Sequence, residues 1–121
     1  MKKKLTLVAV LAALVAIAAT LEARFARAES SPRVIEITAK RFEFSPAEIT
    51  LKKDQPVTLR LTSQDVKHGF FAKGLNLDGD IEPGKPTELT FTPHTAGKYV
   101  TVCDDFCGAG HGDMRMAIVV E

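Results

Sequence analysis

Downstream of a short N-terminal run, this 121-residue sequence predicts an all-β fold: a small sandwich with Greek-key connections. Three observations predict it. Short segments rich in β-branched and aromatic residues alternate apolar with polar at period two. Turn-forming clusters separate them at short intervals. After residue 30 no stretch carries a helical period. The length permits one ordinary globular domain and excludes a multidomain enzyme.

Residues 1–28 serve delivery. Lys2, Lys3 and Lys4 form a basic start, an uncharged stretch runs over 5–21, and Ala26-Arg27-Ala28 provides a small-x-small cleavage motif. As a helix the uncharged run spans roughly 25 Å at 1.5 Å per residue, short of a ~30 Å hydrocarbon core. A cleaved secretory signal is therefore expected ahead of a retained membrane anchor. Both place the domain outside the cytoplasm, in the periplasm or on the outer face of the membrane. A short tail is expected over 29–33 and the domain over 34–121.

Strand β-patterning begins at Val34-Ile35-Glu36-Ile37-Thr38, where apolar and polar residues trade faces. Further strands are expected at 48–51, 57–62, 68–71, 87–91, 98–102 and 116–120, paired antiparallel. Ser45-Pro46, Lys53-Asp54-Gln55-Pro56, Asp78-Gly79-Asp80, Pro83-Gly84 and Thr95-Ala96-Gly97 read as the turns between them. Phe42, Phe44, Phe70, Phe71, Phe91 and Tyr99 are expected in the core. His94 is expected in a solvated turn.

The near-neutral formal charge of +1 is unevenly spread. Residues 29–121 hold 11 basic against 14 acidic side chains, a net charge of −3. No basic stripe exists for nucleic acid, so that class of partner is excluded. Asp78, Asp80, Glu82, Asp104, Asp105 and Asp113 fall in the turn and site segments, and no Lys or Arg lies between Tyr99 and Met114. If the fold gathers these acids at one end, that end attracts a basic partner.

The chemistry is concentrated in Cys103-Asp104-Asp105-Phe106-Cys107-Gly108-Ala109-Gly110-His111-Gly112-Asp113-Met114. Both cysteines, one histidine and one methionine lie within 12 residues, in a loop between two expected strands. Thiolate, imidazole and thioether form a soft donor set that selects copper over hard cations. His68, opening another expected strand, offers a further strong donor. Glycines 108, 110 and 112 allow a tight loop. Other readings of the same residues are a disulfide between the cysteines, a Cys2His2 zinc site that leaves Met114 idle, and a one-copper blue site that leaves one cysteine surplus. A thioredoxin-like copper chaperone would need βαβ crossovers that this chain does not offer.

Cys-x3-Cys-x3-His-x2-Met, with Asp65-Val66-Lys67-His68 upstream, resembles the binuclear copper A site of cytochrome c oxidase subunit II. The copper A domain of nitrous oxide reductase is similar. The likeness runs from about Val34 to Glu121, includes His68-Gly-Phe-Phe-Ala-Lys-Gly-Leu-Asn76 and Gly97-Lys-Tyr-Val-Thr-Val-Cys103, and is nearest to bacterial subunits with a single anchor. The resemblance implies a cupredoxin-like Greek-key sandwich. It also implies two copper ions, bridged by Cys103 and Cys107, capped by His68 and His111, and bound weakly by Met114 and the Asp105 carbonyl. The implied function is electron transfer from a cytochrome c-type donor to the catalytic subunit of a haem–copper oxidase, with a copper chaperone supplying the metal. The domain alone would catalyse nothing.

Two features depart from the family. Asp105 stands where many oxidase subunits carry a Glu that reaches a magnesium ion, and Asp is one methylene shorter. The chain has no Trp, so the Trp-rich electron-entry patch of mitochondrial-type subunits is absent. Phe42 and Phe44 are the available substitutes near the copper end. A freestanding electron shuttle and a copper storage or delivery protein are the alternative functions.

Overall fold

The computed structural model describes residues 1–29 and 31–121, which divide into two units, Met1–Ser31 and Pro32–Glu121. Ser30, in the tail expected over 29–33, and the side chains of the 26–28 motif lie outside the described residues.

The first unit is helix α1 (Lys2–Glu29). Alanine and leucine dominate it, and both lose little conformational freedom in a helix. Lys2–Arg24 is long and apolar enough to cross a membrane, a criterion that a secretory signal also meets.

The second unit is a sandwich of nine strands. These are β1 (Arg33–Lys40), β2 (Glu43–Ser45), β3 (Glu48–Leu51), β4 (Val57–Ser63), β5 (His68–Ala72), β6 (Leu77–Ile81), β7 (Thr87–Phe91), β8 (Gly97–Val102) and β9 (Arg115–Val120). One sheet has the order β2-β1-β4-β7, the other β3-β9-β8-β5-β6. Ile37, Leu59 and Leu61 of the first sheet and Phe70, Ile81 and Ile118 of the second are fully buried. Burying each such side chain stabilises the fold by about 1.5–3 kcal/mol. Phe44 meets Phe70 edge-on across the sandwich, with ring centroids 5.7 Å apart.

The pairing differs from the all-antiparallel expectation. β1 runs parallel to β4 and β3 parallel to β9. The chain leaves β1 through a hairpin, contributes β3 to the opposite sheet, then returns as β4 in its original direction. Crossing between sheets thus provides a parallel neighbour without the helical crossover that a single sheet would need.

Two strands escape the sequence pattern. β2 is only three residues long, held to β1 across a turn at Arg41 and Phe42. β6 contains the Asp78-Gly79-Asp80 segment expected to turn. Its inward positions are Leu77, Gly79 and Ile81, and a Cβ at Gly79 would stand 3.3 Å from both Leu89 methyl groups. The glycine that hides the alternation lets β7 pack closely.

The ends of three strands meet at one edge of the second sheet. β8 is antiparallel to both β5 and β9, so its end lies beside the start of β9, and the residues that follow it run back along β5 toward His68. Phe71 pairs with Val102, and Val102 with Arg115. The residues just beyond these ends, Cys103 and Met114, are linked by the Cys103 amide donating to the Met114 carbonyl at 3.2 Å.

Candidate metal centre

Strand ends hold three of the donors more rigidly than a free loop could. His68 opens β5, Cys103 follows β8 and Met114 precedes β9. His68 and Met114 are fully buried, and Cys103 and Cys107 nearly so. The Cys103 and Cys107 sulfurs stand 3.8 Å apart as free thiols. His68 Nδ1 lies 3.9 Å from Cys103 Sγ, and His111 Nδ1 lies 3.9 Å from Cys107 Sγ. Met114 Sδ is 3.9 Å from Cys107 Sγ, and the Asp105 carbonyl is 3.2 Å from Cys103 Sγ. All six residues singled out in the sequence therefore converge on the sulfur pair.

The donor atoms of His68, Cys103 and Cys107 all lie within 4.8 Å of one another, a spacing at which one ion can engage them together. Burial pushes the Cys107 thiol up to about 11, reinforced by its contact with Cys103. A buried thiol pair of this kind becomes a thiolate pair when a soft cation compensates its charge. Met114, idle in a Cys2His2 zinc site, is part of this cluster, which favours copper.

A second layer orients the donors. Asp65 Oδ1 lies 2.7 Å from His68 Nε2. That acceptor selects the Nε2–H tautomer and leaves the Nδ1 lone pair facing the sulfurs. Asp65 also accepts the Val66 and Arg41 amides, at 2.7 and 2.8 Å. Burial opposes ionisation of Asp65, but these hydrogen bonds and the His68 contact outweigh it and hold the carboxyl at about 2. Asp65 thus braces the turn ahead of β5 and orients a donor at once. The Gly69 amide donates to Cys103 Sγ at 3.4 Å.

The β1–β2 turn sits on the loop. A Cβ at Gly110 would stand 2.5 Å from the Phe42 ring, and one at Gly108 2.9 Å from it. Gly108 also takes a φ of +142°, which side-chain-bearing residues rarely adopt. Gly112, by contrast, has open space around it. Phe44 is a core residue as expected, but Phe42 is 39% exposed and covers the metal loop. Phe106 projects outward, 78% exposed, its ring 5.9 Å from that of His111. His94 is exposed as expected and contacts Asp54.

The acidic end carries a cation that the loop sequence does not show. Lys67 reaches Asp105 at 2.9 Å, Asp80 at 3.5 Å and Glu82 at 3.8 Å. The Asp105 carboxylate, and then Asp80 and Glu82, raise the Lys67 pKa. The charge inferred from the loop alone is thus partly compensated, and the Asp105 side chain engages an ammonium within its own chain.

The model of the cupredoxin-like domain matches residues 7–120. This chain belongs to the cupredoxin-like domain family. It is 31% identical over 87 residues to cytochrome c oxidase subunit 2 of Thermus thermophilus, a match covering 72% of this chain and 64% of that protein. The chain thus spans less than two thirds of that relative. A heme-copper terminal oxidase dimer solved by cryo-EM contains a chain with a TM-score of 0.68 and 30% identity, covering 75% of this cupredoxin and 66% of that chain. The periplasmic domain of subunit II of the Bradyrhizobium japonicum cytochrome oxidase superposes with a TM-score of 0.68 at 21% identity, covering 74% and 83% of the two chains. The family match and the two likenesses at 30% identity or above support copper as the metal of the site.

Proposed function

We propose that this cupredoxin is an exported electron-transfer domain of the copper A type, holding two copper ions and relaying single electrons. Its donor is a cytochrome c-type protein and its acceptor the catalytic subunit of a haem–copper oxidase. The observation that carries the proposal is the double sulfur centre flanked on both sides. His68 and the Asp105 carbonyl approach Cys103, while His111 and the Met114 thioether approach Cys107. A one-copper site of two imidazoles, one thiolate and a weak thioether would leave one sulfur surplus.

The fit rests on donor chemistry. Cys103 and Cys107 would bridge the two ions, His68 and His111 would each bind one, and Met114 and the Asp105 carbonyl would bind weakly. When bound, the metal pair supplies the site where one electron is gained and lost. The chain contributes rigidity and dryness. Strand ends fix His68, Cys103 and Met114, Asp65 sets the His68 tautomer, and the sandwich excludes water from both thiols. Burial of the sulfurs favours relay over copper storage or delivery, which needs donors that an accepting protein can reach. His111 is only half-buried beside the exposed Phe106, an edge suited to contact with a partner.

The test is metal stoichiometry with EPR on the copper-loaded protein. Two coppers per chain and a hyperfine pattern shared over both nuclei are expected. Cys107→Ser should abolish the pattern by removing a bridging sulfur. One copper per chain with a blue-copper spectrum would refute the proposal.

A further inference from the structure

Arg41 plays no part in the donor set, yet it makes two hydrogen bonds around it from the turn between β1 and β2. Its amide donates to Asp65 Oδ2 at 2.8 Å, and the other oxygen of the same carboxylate holds His68 Nε2 at 2.7 Å. Its side-chain Nε–H donates to the Cys107 carbonyl at 2.7 Å, a contact between residues 66 positions apart in sequence. One residue therefore joins the back of an imidazole donor to the backbone of a sulfur donor. The neighbouring Phe42 ring lies against Gly108 and Gly110, so the turn cannot slide along the loop without displacing it. Arg41 also lines, with Val66, Lys67, Phe106, Cys107 and Gly108, a groove of about 240 Å³ beside the site.

We infer that Arg41 is a positioning residue for the metal centre, tying His68 and Cys107 into one rigid relay. The inference rests on the copper reading above and deepens it. Two physical effects follow from the geometry. A planar guanidinium donor fixes the Cys107 carbonyl, and with it the direction of the Cys107 sulfur, in a way a flexible ammonium cannot. Its fixed positive charge beside the thiolate pair also favours the reduced state, which carries one more electron.

The experiment compares the wild-type protein with R41A, R41Q and R41K. In the copper-loaded forms, R41A should shift the oxidised-to-reduced ratio at a fixed poise about tenfold toward the oxidised state, equivalent to about 59 mV for one electron. Its EPR hyperfine pattern should also change, because the sulfur geometry relaxes. R41K keeps the charge without the planar donor and should recover the ratio only in part. Complete recovery by R41K of both ratio and pattern would overturn the inference, since a point charge would then suffice. So would an R41A protein that loses unfolding stability but keeps the wild-type potential and EPR spectrum. Should R41A fail to fold, R41Q retains an amide donor and carries the same readouts.

An independent measurement needs no metal. In the reduced apoprotein, R41A keeps the amide donated to Asp65 but frees the turn that carries it, so the His68 ring nitrogen resonances should shift or broaden through Asp65 and alkylation of Cys107 should accelerate several-fold. Unchanged resonances and an unchanged rate would overturn the relay. If wild-type protein shows no two-copper centre, the copper reading fails, while these apoprotein measurements still decide the role of Arg41.

Discussion

Replacing Gly69 with alanine probes how closely β5 is fitted to the metal loop. A Cβ at this position would stand 2.0 Å from Asp104 Oδ1, 2.9 Å from the Asp105 nitrogen and 3.1 Å from the Asp104 nitrogen. Rotation of the Asp104 carboxylate can relieve the first contact. The two backbone nitrogens can withdraw only if the loop shifts by roughly 0.5 Å, to reach ordinary contact near ~3.5 Å. Overpacking of this kind costs about 1–3 kcal/mol. The shift also lengthens the hydrogen bond from the Gly69 amide to Cys103 Sγ, now 3.4 Å. Against this, alanine restricts the unfolded chain and returns about 0.4–1 kcal/mol. The expected balance is a loss of about 1–2 kcal/mol. For a domain of this size that lowers the melting temperature of the reduced apoprotein by roughly 4–16 °C. Because the displaced residues include the Asp105 carbonyl and lean on Cys103, the copper-loaded variant should also lose metal to a chelator at least several-fold faster. Thermal unfolding followed by circular dichroism, with chelator competition on the loaded protein, measures both. A variant that melts within about 2 °C of wild type and retains copper equally well would show instead that the loop is free to yield and that β5 is not closely fitted to it.

The other predictions use the same geometry. Met114→Leu should keep both coppers and shift the reduction potential, since a thioether mainly tunes energy, whereas His111→Ala should impair copper retention; potentiometry and metal analysis check the contrast. The Cys107 thiol, pushed up to about 11 by burial and by Cys103, is protonated near neutral pH, so copper uptake should release protons and strengthen as pH rises. Calorimetry in buffers of different ionisation enthalpy reads that release. The same raised value means that folding stabilises the neutral thiol, so this contribution to apoprotein stability is complete below about pH 9 and is lost as pH rises through about 11, as urea titrations over that range should show. Lys67→Gln should leave Asp80, Glu82 and Asp105 uncompensated, lower the reduction potential, and steepen the fall with ionic strength of electron transfer from a basic cytochrome c. A rate indifferent to salt in both proteins would exclude electrostatic steering.

The donor atoms and the fold class were legible in the chain because both are local or periodic properties. Soft side chains at i, i+4, i+8 and i+11 from Cys103 state their chemistry without reference to the rest of the fold, and alternation over 34–38 or 116–120 reads as strand by itself. Patterning failed where packing overrode it. β6 was hidden because Gly79, a turn residue by composition, occupies an inward position that the Leu89 side chain crowds. β2 was hidden because three residues are too few to show a period. The parallel pairings arose from the route of the chain between two sheets, which no local window contains. The same holds for everything around the donors. Phe42 lies against Gly110, Lys67 lies among three carboxylates, and Arg41 meets the Cys107 carbonyl 66 residues away. Hydrogen bonds and contacts at that separation exist only after the β1–β2 turn and the start of β5 have been brought to the end of β8. Sequence thus determined which atoms can bind the metal, and tertiary structure alone decided what holds them in place and what charge surrounds them.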